Sequence, residues 1–169
     1  MPPWPASAAD GVAYRLRIRS RLATDRQTLW AHASSMDGVN AELAPVHMSH
    51  PAGAAIGPDV PLGQPLFRSF VSLWGVVPLD LHEFALVDIR AGEGFHESSR
   101  SLLERRWVHR RTLMDAPDGV ELTDELEFEP RLLGFVVARV IGATFARRHA
   151  RLRRLFAGCD TEPPRVDWY

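Results

Sequence analysis

Residues 131–156, RLLGFVVARVIGATFARRHARLRRLF, constrain the rest of the chain more than any other stretch. They read as one C-terminal helix, roughly 40 Å long at a rise of about 1.5 Å per residue, enough to cross a whole domain. The first half is apolar almost all round, through Leu132, Leu133, Phe135, Val136, Val137, Val140, Ile141 and Phe145, and is expected to be buried. Gly134, Ala138, Gly142, Ala146 and Ala150 recur every four residues, which sets small side chains along one stripe. Such a stripe admits a close neighbouring backbone or leaves room for something that is not protein. Arg147, Arg148, His149, Arg151, Arg153 and Arg154 follow, suiting the negative pole of the helix dipole. Glu127, Glu129 and Pro130 ahead of the helix and Gly158 behind it are start and stop signals. The apolar run is too short for a membrane span and contains Arg139, where roughly 20 apolar residues are needed. Its first half is also too apolar to offer the clean polar face of a membrane-surface helix. The remaining reading is a helix laid across the concave face of a sheet.

A chain of 169 residues predicts one domain with a real core: a loose N-terminal arm over residues 1–11, a domain over 12–157 and a tail over 158–169. The net charge of −1 gives no global attraction to nucleic acid or to an acidic membrane. Every basic residue is arginine, so lysine Schiff-base and P-loop chemistry are excluded. That bias fits a GC-rich genome. Cys159 is the only cysteine, which rules out an internal disulfide or a thiolate cluster. The first residues lack the features of a secretory signal, so the default location is cytoplasmic. No HExxH, GxSxG, GxGxxG or Walker spacing occurs, and neither a metal nor a cofactor is expected. A homodimer stays open.

In chain order, residues 12–23 alternate Tyr14, Leu16, Ile18 and Leu22 with Arg15, Arg17, Arg19 and Arg21, the period of a half-buried strand. Thr24 to Gln27 has the form of a capping box with Thr24 at the cap. The helix it opens should run to about Met36, break at Asp37-Gly38 and resume for a short turn to Leu43. Residues 46–49 read as a short strand. Residues 51–65, PAGAAIGPDVPLGQP, cannot form a regular element and are expected to be a flap at a cavity mouth or a disordered insert. Strands are predicted over 66–74, 79–90, 95–101, 105–115 and 120–129, the last two a hairpin about Pro117-Asp118-Gly119. The result is an α+β domain whose curved antiparallel sheet grips the last helix.

This order of elements resembles the START-like helix-grip superfamily, the SRPBCC group. Residues 106–130 look like its bacterial ligand-binding subgroup through Trp107, His109, the Asp118-Gly119 turn and Leu122-Thr123-Asp124. Phe95-His96-Glu97 and the helix segment from Phe145 to His149 add to the likeness, which covers about residues 12–157. The resemblance implies a deep apolar cavity between sheet and helix, and a small hydrophobic ligand such as a lipid, a fatty acid or a polyketide-like ring. The 51–65 segment is longer than the subgroup's usual connection.

Parity picks out the polar candidates. Asp124 falls on the apolar face of Val120, Leu122, Leu126 and Phe128, and His109 and Arg111 share the parity of Trp107 and Leu113. A lone inward carboxylate costs several kcal/mol, so Asp124 needs His109 or Arg111 as a partner. Three roles are open to this group: a network that fixes register, a polar anchor for a ligand, or a His109–Asp124 acid/base pair of the polyketide cyclase or dehydratase kind. Arg148 and His149 read first as partners of the helix dipole, with a place in the same network as the alternative. The expected cavity lining is Trp107, His109, Arg111 and Asp124 with Gly134, Ala138 and Gly142 of the helix. A non-catalytic interaction module with a filled core is the remaining class.

Overall fold

The arginines of the first strand set its place in the sheet. The computed structural model describes residues 13–159 and 163–169. β1 (Tyr14–Leu22) buries Tyr14, Leu16, Ile18 and Leu22. It pairs with β7 (Gly119–Pro130) in a register that sets Arg15 opposite Glu127, Arg17 opposite Glu125 and Arg21 opposite Glu121. The first two pairs close to 3.1 and 2.8 Å. Each such exposed pair contributes only about 0–1 kcal/mol. A slip of one residue, however, would drive the arginines into the core, so the pattern fixes the register.

The remaining elements are α1 (Arg26–Ala33), α2 (Met36–Leu43), β2 (Val46–Met48), β3 (Pro65–Leu73), β4 (Val77–Arg90), β5 (Gly94–Ser101), β6 (Glu104–Ala116), α3 (Gly134–Leu155) and β8 (Val166–Trp168). The strands form one sheet in the order β2-β3-β4-β5-β6-β7-β1-β8, and each pairing is antiparallel. α3 packs on β1 and β7 through a core of Leu16, Ile18, Leu126, Phe128, Ala138 and Phe145. This is an α+β helix-grip architecture. Among the described residues no helix is long and apolar enough to cross a membrane.

Several local expectations change. Asp25, not Thr24, caps α1 by accepting a 2.8 Å hydrogen bond from the Thr28 amide. Gly38 does not break a helix but lies inside α2, which Ser35 caps. A Cβ at Gly38 would sit 2.0 Å from the His32 carbonyl oxygen, so glycine is what lets the two short helices meet. Pro130 does not open α3. Glu129 stays in the ladder opposite Arg106, Pro130 ends β7, and the helix starts after Leu133, which is in the left-handed region at φ 51°.

The first half of α3 is not buried as a whole. Its covered stripe is Ala138, Gly142, Phe145, His149 and Leu152, while Val140 on the helix and Leu132 and Leu133 just ahead of it are 59%, 70% and 72% exposed. The covered side of the helix is the one turned to the sheet and to α2. The described part of residues 158–169 includes an edge strand, since β8 adds to β1 with Trp168 opposite Leu16. The loop 51–65 is tied down at two points, Ile56 N–H to the Ser34 carbonyl and Gly63 N–H to the Leu86 carbonyl, both 2.7 Å. Ile56 packs with Phe84, Leu86 and Phe95, so the segment is a wall and not a free flap. The expected N-terminal arm lies outside the described residues.

Candidate functional site

The β6–β7 ladder places Arg111 directly opposite Asp124. Arg111 donates from Nε to Asp124 Oδ1 at 2.8 Å and from Nη2 to Oδ2 at 2.7 Å, a bidentate pair. His109 Nε2 lies 2.9 Å from Oδ1, and His149 Nε2 lies 3.1 Å from Oδ2. Burial acts to raise the Asp124 carboxyl pKa, but the Arg111 charge and His109 outweigh it and hold the group well below the usual carboxylate range.

The polar chain runs on in both directions. Arg111 Nη1 donates to Glu42 on α2 at 2.9 Å, and Arg148 Nε donates to the same carboxylate from α3. Burial again opposes ionisation of Glu42, and the two guanidiniums overcome it. On the other side His109 Nδ1 faces Glu97 Oε2 at 3.6 Å. Glu97 Oε1 meets His82 Nε2 at 2.7 Å and accepts from Ser99 Oγ at 2.7 Å. Burial acts to lower the His82 pKa, yet the contact with Glu97 leaves it raised. His149 is the opposite case, lowered chiefly by burial. Its neutral ring fits Nε2–H on Asp124 and Nδ1 accepting from Ser20 Oγ at 2.9 Å. One buried line therefore joins Arg148, Glu42, Arg111, Asp124, His109, Glu97 and His82, and ties both α2 and α3 to the sheet.

Beside this line is a cavity of about 200 Å³. Its wall is mostly apolar, including Met36, Val39, Ile56, Phe84, Phe95 and Phe145. Asp80, His82, Glu97, Glu104, His109 and Arg148 are the ionisable groups that reach it. Leu79, Leu103 and Val140 line it and are also exposed, which places its mouth between the start of β4, the β5–β6 turn and α3. Burial, with Asp80 alongside, raises the Glu104 pKa to about 6 despite a hydrogen bond from Ser101.

The expected site residues divide. Trp107 and His109 line the cavity. Arg111 and Asp124 stand behind it, 1% and 0% exposed, so of the proposed acid/base pair only His109 reaches the space. Gly134, Ala138 and Gly142 do not line it. A Cβ on Gly134 would meet the Tyr14 hydroxyl at 2.9 Å, and one on Gly142 would meet the Trp168 ring at 2.8 Å. The small stripe makes room for protein side chains and not for a ligand. Arg148 and His149 belong to the network instead of merely facing the helix dipole. Among the described residues, no group of three or more His, Cys, Asp or Glu side chains is placed to hold a metal ion.

Glu42, His82 and Glu97 were absent from the sequence-based set. Each carried a signal: Glu42 continues the i, i+3 stripe of Met36 and Val39, His82 shares parity with Phe84 and Leu86, and Glu97 shares parity with Phe95.

Comparison with known proteins supports the fold. A Rhodobacter sphaeroides protein superposes with a TM-score of 0.64 at 16% identity, over 89% of this chain and 97% of its own. A second neighbour, Ara h 8.0201, gives a TM-score of 0.60 at 10% identity over 86% of this chain and 99% of its own. DynU16, a protein of the dynemicin biosynthetic locus, gives 0.58 at 15% identity over 88% of this chain and 48% of its own. At these identities the likeness is one of fold. No curated protein matches the sequence. A family profile does match, over residues 20–156, and the chain therefore belongs to the family described as Domain of unknown function (DUF8410).

Proposed function

We propose that the protein binds a small hydrophobic molecule in the cavity between the sheet and α3. The observation that carries this reading is the lining itself: a mostly apolar wall, a few ionisable groups and a mouth edged by exposed Leu79, Leu103 and Val140. At about 200 Å³ the space is smaller than the roughly 300–1,000 Å³ of drug-sized ligand pockets, which favours a compact ring or a short chain. Titration with the neutral dye Nile red tests it. A saturable fluorescence rise that the mouth-narrowing variant Val140→Trp weakens at least fivefold is expected; equal binding by both proteins would contradict it.

A catalytic role remains a second reading because one imidazole, His109, reaches the cavity while Asp124 orients its Nε2 from behind. In that case His109 would move a proton of a polyketide-like substrate and Asp124 would act as a positioning residue. His109→Gln would then abolish turnover of a cyclisation or dehydration substrate while ligand affinity persisted.

A further inference from the structure

We propose that the cavity selects uncharged ligands over carboxylates, so that its occupant is a neutral hydrophobic molecule bearing an acceptor oxygen, such as a ketone, and not a free acid. The inference rests on the binding reading above and narrows its ligand class.

The charges around the cavity carry it. Asp80, Glu97 and Glu104 reach the wall, and Glu42 and Asp124 lie just behind, bonded to wall residues Arg148 and His109. Against these five carboxylates stand two guanidiniums, Arg111 and Arg148. Arg111 is committed to Asp124 and Glu42, and Arg148 to Glu42. His82, 2.7 Å from Glu97, holds its proton more readily than an ordinary imidazole and is likewise committed to that carboxylate. A ligand carboxylate would be a sixth negative group in a space whose cations already have partners, and its desolvation would go uncompensated.

The donors present suit a neutral oxygen instead. Arg148 is 4% exposed, lines the cavity and rests its guanidinium over the Phe145 ring at 5.4 Å. Its Nε is bonded to Glu42, and its terminal nitrogens have no hydrogen-bond partner among the described residues. A guanidinium neutralised by its own carboxylate keeps its N–H donors, and a carbonyl oxygen satisfies them without adding charge. Asp80 and Glu104 reinforce the discrimination. Asp80 Oδ1 accepts from the amides of Leu81, Leu102 and Leu103 at 2.8, 3.0 and 3.2 Å, which holds its carboxyl group in place beside Glu104 at the wall.

The test compares isosteric pairs by calorimetry at pH 7.5: 2-acetonaphthone against 2-naphthoate, and 2-undecanone against decanoate. The expected result is at least tenfold tighter binding of the ketone in whichever pair binds, with the gap narrowing at least threefold in Glu104→Gln. Equal or tighter binding of the acid overturns the selectivity and leaves the binding reading standing. A gap unchanged in Glu104→Gln also overturns it, because charge would then not be its source. Failure of all four probes, together with failure of Nile red, removes the binding reading and this inference with it.

Discussion

Arg111 and Asp124 face each other across the β6–β7 ladder and share two hydrogen bonds, of 2.8 and 2.7 Å, with neither side chain open to solvent. Through Glu42 the same guanidinium reaches α2, and through His149 the same carboxylate reaches α3. The pair is therefore where sheet and helices meet. A buried ion pair adds little over a well-packed apolar pair, but removing one partner strands the other. Arg111→Met should lower the unfolding free energy by about 3–5 kcal/mol in urea denaturation. Arg111→Met with Asp124→Leu should lose less than the sum of the two single changes. A single variant within about 1 kcal/mol of the parent protein would contradict the role given to the pair.

Glu104 predicts a pH dependence of stability. Its folded-state pKa, about 6, lies above the ordinary value of 4.5, so the folded protein holds this proton more tightly than the unfolded chain. The stabilisation is full below about 4.5 and is lost as the pH rises through about 6, and it amounts to roughly 1–2 kcal/mol. Glu104→Gln has no such proton. The stability difference between parent and variant should therefore move in favour of the parent by about that amount between pH 7.5 and pH 4.5. A difference that stays flat over this range would count against the buried, Asp80-flanked setting of Glu104.

Below that window the sign reverses. Glu42, Glu97 and Asp124 are held below their ordinary pKa values, so their stabilisation is present above about 4–4.5 and drains away as the pH falls through their folded-state values. Acid unfolding should come earlier in Arg111→Met, which no longer supports two of them, as followed by circular dichroism.

Gly142 and Trp168 give a test of how β8 is held. A methyl group at 142 would approach the Trp168 ring to 2.8 Å. Gly142→Ala should push Trp168 off α3 and free the edge strand, with a red-shifted tryptophan emission and faster proteolysis at the C-terminal end. The helical content should be unchanged, since alanine is the better helix former. Unaltered emission would contradict the close packing of Trp168 on Gly142.

Much of this fold was legible from local pattern. The alternation in β1 and β7 marks the inward set, and the inward parity of Asp124, His109 and Arg111 announces a buried contact, whereas the Arg–Glu ladder needs the pairing of the two strands. What stayed hidden has physical reasons. The inward residues of β5 after Phe95 are Glu97, Ser99 and Ser101, so neither face of that strand reads as apolar and the parity that Glu97 shares with Phe95 is a weak signal by itself. Glu42 meets Arg111 and Arg148 only through tertiary contacts far apart in sequence, and no local rule brings them together. The apolar run that leads into α3 reads as core, because hydrophobicity shows what a side chain prefers and not what covers it.

That exposure has its own consequence. Leu132 and Leu133 are 70% and 72% exposed, so Leu132→Ser with Leu133→Ser should change stability by no more than about 0.5 kcal/mol each. A loss of several kcal/mol would restore the buried reading.

The central claim, that the cavity between sheet and α3 holds a small hydrophobic molecule, is tested most directly by native mass spectrometry of the freshly purified protein, with solvent extraction of whatever accompanies it. The account predicts a discrete small adduct, extractable and uncharged, that Val140→Trp carries at reduced occupancy. A clean mass of the bare chain that stays clean after incubation with the two ketones would contradict it.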